Sequence, residues 1–426
     1  MPTLPDRRRA MIHLVGSSLA AMVASPLASA PPPERGGGSD WNQFGGPRRD
    51  NRARDARLLD AWPEEGPRLV GTAENLGIGY SSPAFAPGRV LTMGSRGDDE
   101  LVICLDDGSL EEIWATRIGR TRADGTGGGP RGTPTVDGDR VYALGASGDL
   151  ACLTLADGAR VWEGNVLRAF GGETIVWGMS ESPLVDGDRV VVTPGGKEAT
   201  MVALDKRTGR PVWRALVPGA PQAAYSSIVT VETGGVRQYV NFVHTGLVGV
   251  RAADGTVLWG DDSAANATAN CSAALEWKRG VFAASGYGAG GVLLALGGGR
   301  QGIRATPLWK TKEMKNHHGG MVIDRDHLYG CDEALLTCLD LATGRVKWRN
   351  RSVGKGSVVW ADGKLVVRSE DGPVALVEAT PRGYVERGRF TPEHRSDRPA
   401  WPHPVISGGK LWLRDQERMD VYGVGE

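Results

Sequence analysis

The amino-acid sequence predicts an all-β fold, an eight-bladed β-propeller built from four-stranded antiparallel blades. Three observations lead to this prediction: a self-similar unit repeats along the chain, tryptophans recur at regular intervals, and glycine supplies 62 of 426 residues. Glycine disfavours helix interiors and is the usual residue of tight turns, so a chain this rich in glycine should turn often. No stretch of comparable length shows a helical period.

The clearest copy of the repeating unit spans residues 182–213. It reads as two apolar strands joined by an Asp-Gly pair, then a third apolar strand, a Thr-Gly pair and a strand that ends at Trp213. Apolar stretches separated by such turn pairs are typical of β-hairpins. One unit therefore predicts one four-stranded blade.

The register of the copies follows from a small residue that stands ten positions before a tryptophan, as Ala203 stands before Trp213. In four copies a glycine follows six positions after the small residue: Gly158, Gly209, Gly255 and Gly344. Six tryptophans end copies of the unit at intervals of 39 to 51 residues: Trp114, Trp162, Trp213, Trp259, Trp309 and Trp348. Intervals of this length suit four-stranded propeller blades.

Two further units complete the predicted ring. Residues 357–390 keep the strand pattern but lack the tryptophan, and a last unit begins at Pro404 and ends near Val424, which is too short for four strands. We expect residues 67–75 to supply the missing outer strand, because pairing the two chain ends in one blade closes a propeller.

The first 30 residues predict a signal peptide for export. A charged start at Arg7 to Arg9 precedes an apolar stretch too short to span a membrane, and a small-residue cleavage site ends at Ala30. Both a general secretory signal and a twin-arginine signal fit this pattern. The predicted organisation is a signal peptide at 1–30, an N-terminal extension at 31–61 and a single propeller domain at 62–426. We expect a periplasmic or otherwise extracytoplasmic protein.

The composition narrows the classes of partner. Lys and Arg number 50, and so do Asp and Glu, so the formal net charge is zero. A general nucleic-acid binder would carry a clustered excess of basic residues. We therefore expect this chain to bind no nucleic acid. No later stretch reaches the roughly 18 apolar residues of a transmembrane helix. We expect a soluble monomer.

The five cysteines form no adjacent pair, no Cys-x-x-Cys and no cluster with zinc-finger spacing: Cys104, Cys152, Cys271, Cys331 and Cys338. Three of them, Cys104, Cys152 and Cys338, stand at the small-residue position that Ala203 fills in its own unit. We therefore expect these three to be buried core residues without a ligand or redox role.

A candidate binding site emerges when the units are aligned on their first strands. The position three residues before the proline that opens the strand, or before its equivalent, should ring one mouth of the central channel. Its occupants carry polar or indole hydrogen-bonding groups: Tyr80, Arg131, Ser180, Tyr225, Asn270, His318, Lys355 and Trp401. Ligands commonly bind where polar groups converge in a concave site. The alternative is that a channel mouth is wet and simply collects polar residues.

The most distinctive part of this ring is the loop from Lys315 to Gly319. It places two imidazoles, His317 and His318, beside a Gly-Gly pair. Imidazoles titrate near neutral pH and can bind a metal or an anion. The sequence assigns no metal to this loop, and we include His317 with the ring as a candidate ligand-binding residue.

The pattern Ala-Leu-Asp-x-x-Thr-Gly-x-x-x-Trp at residues 203–213, with its counterpart at 338–348, resembles the repeat of the pyrroloquinoline-quinone (PQQ) enzymes. That repeat builds quinoprotein alcohol dehydrogenases and also the non-catalytic propeller lipoprotein of the bacterial outer-membrane assembly machinery. The run from Trp41 to Asp50 resembles an element of exported propellers in planctomycete-like bacteria, with Gly45 where Arg is usual. By this resemblance, each of the six blade tryptophans is structural and docks against the next blade near a turn glycine.

The resemblance implies two functions from different classes. Catalytic quinoproteins carry a vicinal disulfide and place Glu, Asn and Asp around calcium, and this chain has no Cys-Cys dipeptide. We predict a non-catalytic binding or protein-interaction scaffold of the cell envelope, with no catalytic residue and no cofactor. Its partner would be an envelope protein or a small-molecule or polymer ligand, a polymer engaging Tyr80, Tyr225 or Trp401. The alternative is a PQQ-dependent dehydrogenase that oxidises alcohols or sugars with PQQ and calcium.

Overall fold

The computed structural model describes residues 41–123, 125, 127–300 and 302–425. Within these ranges the chain forms 33 strands and one short helix, arranged as eight sheets. Each sheet contains four antiparallel strands, and one of them gains a fifth strand at its edge. The architecture is an eight-bladed β-propeller with almost no helix, which confirms the predicted fold class. The predicted signal peptide lies outside the described residues.

Two short strands precede the first complete blade: β1 (Arg52–Ala53) and β2 (Leu69–Ala73). Blade 1 contains β3 (Ala84–Ala86), β4 (Arg89–Arg96), β5 (Asp99–Asp106) and β6 (Glu112–Arg120). Blade 2 contains β7 (Thr135–Asp137), β8 (Arg140–Leu144), β9 (Asp149–Thr154) and β10 (Arg160–Asn165), and is followed by helix α1 (Val166–Phe170). Blade 3 contains β11 (Leu184–Asp186), β12 (Arg189–Val192), β13 (Met201–Asp205) and β14 (Pro211–Ala215).

The second half of the ring repeats this order. Blade 4 contains β15 (Val229–Thr233), β16 (Val236–Val243), β17 (Gly246–Arg251) and β18 (Val257–Asp261). Blade 5 contains β19 (Leu275–Trp277), β20 (Gly280–Ser285), β21 (Gly290–Gly299) and β22 (Gly302–Thr311). Blade 6 contains β23 (Val322–Asp324), β24 (His327–Asp332), β25 (Leu335–Asp340) and β26 (Val346–Asn350). Blade 7 contains β27 (Gly356–Ala361), β28 (Lys364–Ser369), β29 (Val374–Glu378) and β30 (Glu386–Phe390).

Blade 8 closes the ring with strands from both ends of the chain. Its first three strands are β31 (Val405–Ser407), β32 (Lys410–Asp415) and β33 (Arg418–Gly423). The fourth is β2, which pairs antiparallel with β33 and sets Thr72 opposite Asp420. The predicted outer strand at 67–75 is thereby confirmed. No helix among the described residues combines the length and the apolar character that crossing a bilayer requires.

The interfaces between blades are built around the repeat tryptophans. Five of the six donate a hydrogen bond from Nε1 to a backbone carbonyl of the next blade, at 2.7–3.1 Å: Trp114 to Leu155, Trp162 to Lys206, Trp213 to Ala252, Trp309 to Leu341 and Trp348 to Thr380. Four of these rings lie on the turn glycines of the next blade: Gly158, Gly209, Gly255 and Gly344. A Cβ at Gly209 would lie 2.8 Å from the Trp162 ring, so a side chain there has no room.

Trp259 differs from the other five tryptophans. Its Nε1 donates to Gln238 Oε1 of its own blade at 2.7 Å, and its ring covers Gly249 on the adjacent strand. The next blade carries the long β21–β22 hairpin where blades 2, 3, 4 and 6 have a short turn that contains a glycine. Trp259 therefore finds its hydrogen-bond acceptor within blade 4, since that turn is missing from the neighbour.

The repeat cysteines lie opposite the same tryptophans. Cys104, Cys152 and Cys338 are fully buried and pair across their sheets with Trp114, Trp162 and Trp348 as small core residues, in agreement with the prediction. Burial raises the pKa of the Cys104 and Cys338 thiols to about 12, so both stay protonated at neutral pH.

Residues 41–53, which we call the channel segment, lie inside the ring. The Trp41 carbonyl accepts a hydrogen bond from the Phe85 amide of blade 1, and the Asn51 carbonyl accepts one from the Trp360 amide of blade 7. Strand β1 adds in parallel to β27, the innermost strand of blade 7. The segment is therefore part of the propeller structure and crosses its central channel.

Candidate functional site

A cavity of about 290 Å³ opens at one mouth of the channel, which we call the upper mouth. Eight of the nine predicted ring residues line it: Tyr80, Arg131, Ser180, Tyr225, His317, His318, Lys355 and Trp401. They converge because the repeat-equivalent position precedes the innermost strand of each blade. Seven blades thus contribute side chains to one concave site.

Asn270, the ring residue of blade 5, does not line the cavity. It is only 1% exposed, and its Nδ2 donates to the backbone carbonyls of His244 at 3.1 Å and Asn266 at 3.2 Å. Its Oδ1 accepts from the Asn266 amide at 2.9 Å. The carboxamide satisfies local backbone groups, so it faces the loop and Cys271 reaches the cavity wall instead.

Aromatic rings form most of the wall, and they lie in contacting pairs. Tyr80 and Trp401 have ring centroids 4.9 Å apart, and the Arg131 guanidinium lies over both rings. Trp177 and Tyr225 are separated by 5.4 Å. Aromatic pairs at such distances stabilise each other beyond their area of burial. The wall is therefore held in shape before any ligand binds.

Sequence reasoning missed four ring-bearing or aromatic residues of this wall: Phe44, Trp177, Tyr287 and His403. Tyr287 lies against His317, with ring centroids 4.6 Å apart, and comes from the turn between β20 and β21. None of the four stands at the repeat-equivalent position. Phe44 belongs to a motif that the sequence singles out, the run from Trp41 to Asp50.

A carboxylate network ties three ring residues together behind the wall. Glu370 accepts a hydrogen bond from Trp401 Nε1 at 3.1 Å, and its oxygens lie 3.1 Å from His318 Nε2 and 3.2 Å from Lys355 Nζ. Burial opposes ionisation of Glu370, but the hydrogen bond from His318 and the nearby charges outweigh it and lower the pKa of Glu370 to about 2. Glu370 is thus a saturated anion that fixes the orientation of its three donors.

His403 forms part of the cavity floor. Its Nε2 lies 2.8 Å from the His318 carbonyl, and its ring packs on Phe44 with centroids 5.2 Å apart. Burial lowers the pKa of His403 to about 4, so the ring is neutral at pH 7 and its Nε2 donates to the carbonyl. This bond holds the His317–His318 loop in place. Phe44 belongs to the channel segment, so the segment closes the cavity from below.

The donor set at the upper mouth does not fit a calcium-bound quinone. Calcium takes about six to eight oxygen ligands, several of them carboxylates. None of the described lining residues carries a carboxylate, and Glu370 behind them is engaged by Lys355, His318 and Trp401. Across the part of the chain that the structure describes, no three His, Cys, Asp or Glu side chains are grouped to hold a metal.

Comparison with known proteins places this chain in a family. The model of the PQQ_2 family, described as outer membrane protein assembly factor BamB, matches residues 98–350 and, in an overlapping match, residues 304–384. BamB of Shewanella oneidensis is 23% identical over 196 residues, which is 43% of this chain and 46% of that protein. The matched region thus spans less than half the length of this curated relative.

Solved structures share the fold at low sequence identity. BamB from Moraxella catarrhalis superposes with a TM-score of 0.57 at 15% identity, covering 83% of this chain and 97% of that chain. Quinohemoprotein alcohol dehydrogenase from Comamonas testosteroni gives 0.66 at 11% identity, covering 91% and 81%. At these identities the likeness concerns the fold alone. The family matches extend from residue 98 to residue 384, more than half of the sequence, and the chain therefore belongs to the PQQ_2 family of PQQ-like β-propellers.

Proposed function

We propose that this chain is an exported, non-catalytic binding scaffold of the cell envelope that receives its partner at the upper mouth. The observation that carries the proposal is the convergence of seven repeat-equivalent residues, together with His317, on one aromatic-lined cavity. Binding sites are typically concave, mostly apolar and provided with a few oriented polar groups. The membership in the PQQ_2 family supports a protein partner, since BamB is described as an assembly factor.

The pKa values of three titratable groups at the upper mouth support binding over catalysis. A general acid or base works best with a pKa near the operating pH. The pKa of Glu370 is lowered to about 2 and that of buried His403 to about 4, and burial raises the pKa of the Cys271 thiol to about 12. None of these three groups is poised to exchange a proton near pH 7.

A polymer with sugar rings is the second candidate, and the Tyr80–Trp401 pair together with the Lys355–Glu370 ion pair favours it. Aromatic faces suit the C–H faces of a sugar ring. The Lys355 ammonium, which lies 3.2 Å from a Glu370 oxygen, carries three N–H donors, and a sugar hydroxyl group can accept a hydrogen bond from it. A ligand of this kind would leave the Glu370 network intact. The same site residues would therefore serve either partner.

The test is capture of partners from envelope fractions on the immobilised mature chain, beginning at Pro31. Trp401→Ala and Tyr225→Ala remove two aromatic walls, and Trp277→Ala removes a tryptophan that lines a different cavity. We expect the wild type and Trp277→Ala to retain the same partner and the two upper-mouth variants to lose it. Equal capture by all four proteins would contradict the proposal.

The dehydrogenase alternative is tested separately by calorimetric titration with PQQ, with and without calcium. The scaffold should give no binding at tens of micromolar under either condition. Tight, one-to-one binding that requires calcium would overturn the non-catalytic assignment and would call for a dye-linked screen of alcohols and sugars. A cavity that lacks free carboxylates should not produce such binding.

A further inference from the structure

The channel segment makes hydrogen bonds to the innermost strands on several sides of the ring. The Asn42 side chain donates to the Val136 carbonyl of blade 2 at 2.8 Å, and the Val136 amide donates back to the Asn42 carbonyl at 2.8 Å. On the opposite side, Asn51 Nδ2 donates to the Met321 carbonyl beside blade 6 at 3.1 Å. The segment is therefore held by main-chain groups of the propeller, in the manner of a bound peptide.

Arg49 is the central anchor of the segment. It is 2% exposed, and its Nη1 donates to the carbonyls of Ser182 at 3.0 Å and Ile228 at 2.9 Å, while its Nη2 donates to the Pro183 carbonyl. Burial lowers the pKa of Arg49 to about 9, against the influence of the nearby Glu181 carboxylate, so the guanidinium remains charged at neutral pH. One side chain thus joins blades 3 and 4.

The segment also has a compact shape of its own. Arg49 Nε donates to Gln43 Oε1 at 2.8 Å, and the Asn51 amide donates to the Gly45 carbonyl at 2.9 Å. Gly45 has φ of 69°, and a Cβ there would lie 3.0 Å from the backbone of Arg49. Glycine adopts this left-handed conformation without strain and leaves room for the Arg49 backbone. A ligand that is ordered by internal bonds loses less entropy on binding.

The lower mouth of the channel is lined by this segment and by the turns after the first strands of blades 5 and 6. A second cavity there, of about 430 Å³, is bordered by Arg48, Arg52, Trp277 and Arg325 among others. The chain that leaves the segment is solvent-exposed at Arg54 and Asp55. The covalent link therefore passes through an exposed stretch that a protease could reach.

We infer that the lower half of the channel is a peptide-recognition site, which the chain fills with its own residues 41–53. The ligand class is a short basic peptide with aromatic and arginine anchors. Main-chain hydrogen bonds supply general affinity, and the Arg49 side chain supplies specificity, as in other modes of extended-peptide recognition. The inference concerns the lower half of the channel and does not depend on the function proposed for the upper mouth.

The two sites are connected through Phe44. Its ring faces the upper cavity against His403, while the rest of the segment occupies the recognition site below. Displacement of the segment would therefore remove the floor of the upper cavity. Occupancy of the lower site by the segment keeps the upper cavity closed at its base.

The experiment uses the full mature chain with a protease site inserted between Arg54 and Asp55. After cleavage, the N-terminal fragment should co-elute with the propeller in gel filtration. A fluorescent peptide of residues 41–53 should then exchange into the cleaved protein and raise its anisotropy. Competition by unlabelled peptides measures how much each anchor residue contributes to affinity. The Arg49→Gln peptide should bind about tenfold more weakly or worse, because charged hydrogen bonds to buried carbonyls are lost.

The control peptide carries Arg48→Gln, since Arg48 is the exposed neighbour of Arg49. It should compete as well as the wild-type peptide. Loss of the fragment on cleavage, with an unchanged far-ultraviolet circular dichroism spectrum and no peptide exchange, would overturn the inference. Equal competition by the Arg49→Gln and wild-type peptides would overturn the assignment of Arg49 as the specificity anchor.

Discussion

Trp401 Nε1 donates a hydrogen bond of 3.1 Å to the Glu370 carboxylate and thereby joins blade 8 to blade 7 at the upper mouth. Glu370 also meets His318 of the blade 6 loop and Lys355 of blade 7, so one anion organises three predicted ring residues. The shape of the candidate site therefore depends on a residue that is absent from the repeat-equivalent position.

The Glu370 network predicts a pH dependence of stability in acid. The folded-state pKa of Glu370, about 2, lies below the unfolded value of roughly 4.3. Ionised Glu370 therefore stabilises the fold above pH 4.3, and its contribution to the free energy of unfolding is lost as the pH falls toward 2. Glu370→Gln should lose less stability than the wild type between pH 5 and 2. Urea unfolding at several pH values measures this, with the exposed Asp397→Asn as control. Identical acid profiles for Glu370→Gln and wild type would contradict it.

Glu100 predicts the opposite pH dependence of stability, a loss as the pH rises. It is buried between blades 1 and 2, where its carboxyl accepts from the Ala146 amide at 3.0 Å, and burial raises its pKa to about 7. Because the folded pKa exceeds the unfolded one, stability falls as the pH rises from about 4.3 to 7, by up to about 1.4 kcal/mol per pH unit. Glu100→Gln should flatten this slope in unfolding experiments. If the free energy of unfolding of the variant still falls with pH at the wild-type slope, groups other than Glu100 cause the pH dependence.

The blade interfaces predict a large cost for losing a docking tryptophan. Trp213 is buried, and its Nε1 reaches the Ala252 carbonyl of the next blade at 3.1 Å. Trp213→Ala should lower the free energy of unfolding by about 3 kcal/mol or more, as for other buried aromatics. Urea unfolding followed by circular dichroism measures the loss. Trp277→Ala, which removes a half-buried ring, should cost much less.

Gly255 lies under the Trp213 ring, and replacing it should produce a steric effect that can be separated from backbone strain. Gly255 has φ of 78°, and a Cβ there would lie 2.6 Å from the Trp213 ring, whereas Gly187 has φ of 59° and open space around its Cβ position. Both Gly→Ala changes carry the strain of a left-handed residue, about 1–2 kcal/mol. Only Gly255→Ala adds a collision, so it should be clearly the more destabilising in thermal unfolding. Equal melting temperatures would contradict the docking geometry.

The reactivity of the Cys271 thiol should report on the upper cavity. Cys271 lines the cavity and is partly exposed, while the other four cysteines are buried. Burial raises the pKa of its thiol to about 12, so a thiol reagent should modify one cysteine per native chain, and slowly. Cys271→Ser should abolish the reaction. Rapid modification of two or more thiols in the folded protein would show that the cavity wall is assigned incorrectly.

Much of the propeller could be predicted because its determinants are local and repeat. The Asp-Gly and Thr-Gly pairs specify hairpins. In five of the six blades that end in a repeat tryptophan, the small residue ten positions before the tryptophan becomes its cross-strand partner, as Ala203 faces Trp213. The same register placed seven of the eight repeat-equivalent residues at the upper-mouth cavity. Asn270 departed from it because its carboxamide is used by the local backbone.

The sequence by itself determined the number of blades, their strand order and the blade-8 closure, since turn chemistry and side-chain alternation act over a few residues at a time. Only the tertiary structure decided that residues 41–53 cross the channel and that Phe44 closes the upper cavity. The partners of that segment are mostly backbone carbonyls, such as those of Ser182 and Ile228. Every residue type carries such a carbonyl, so no pattern of side chains predicts where the segment binds.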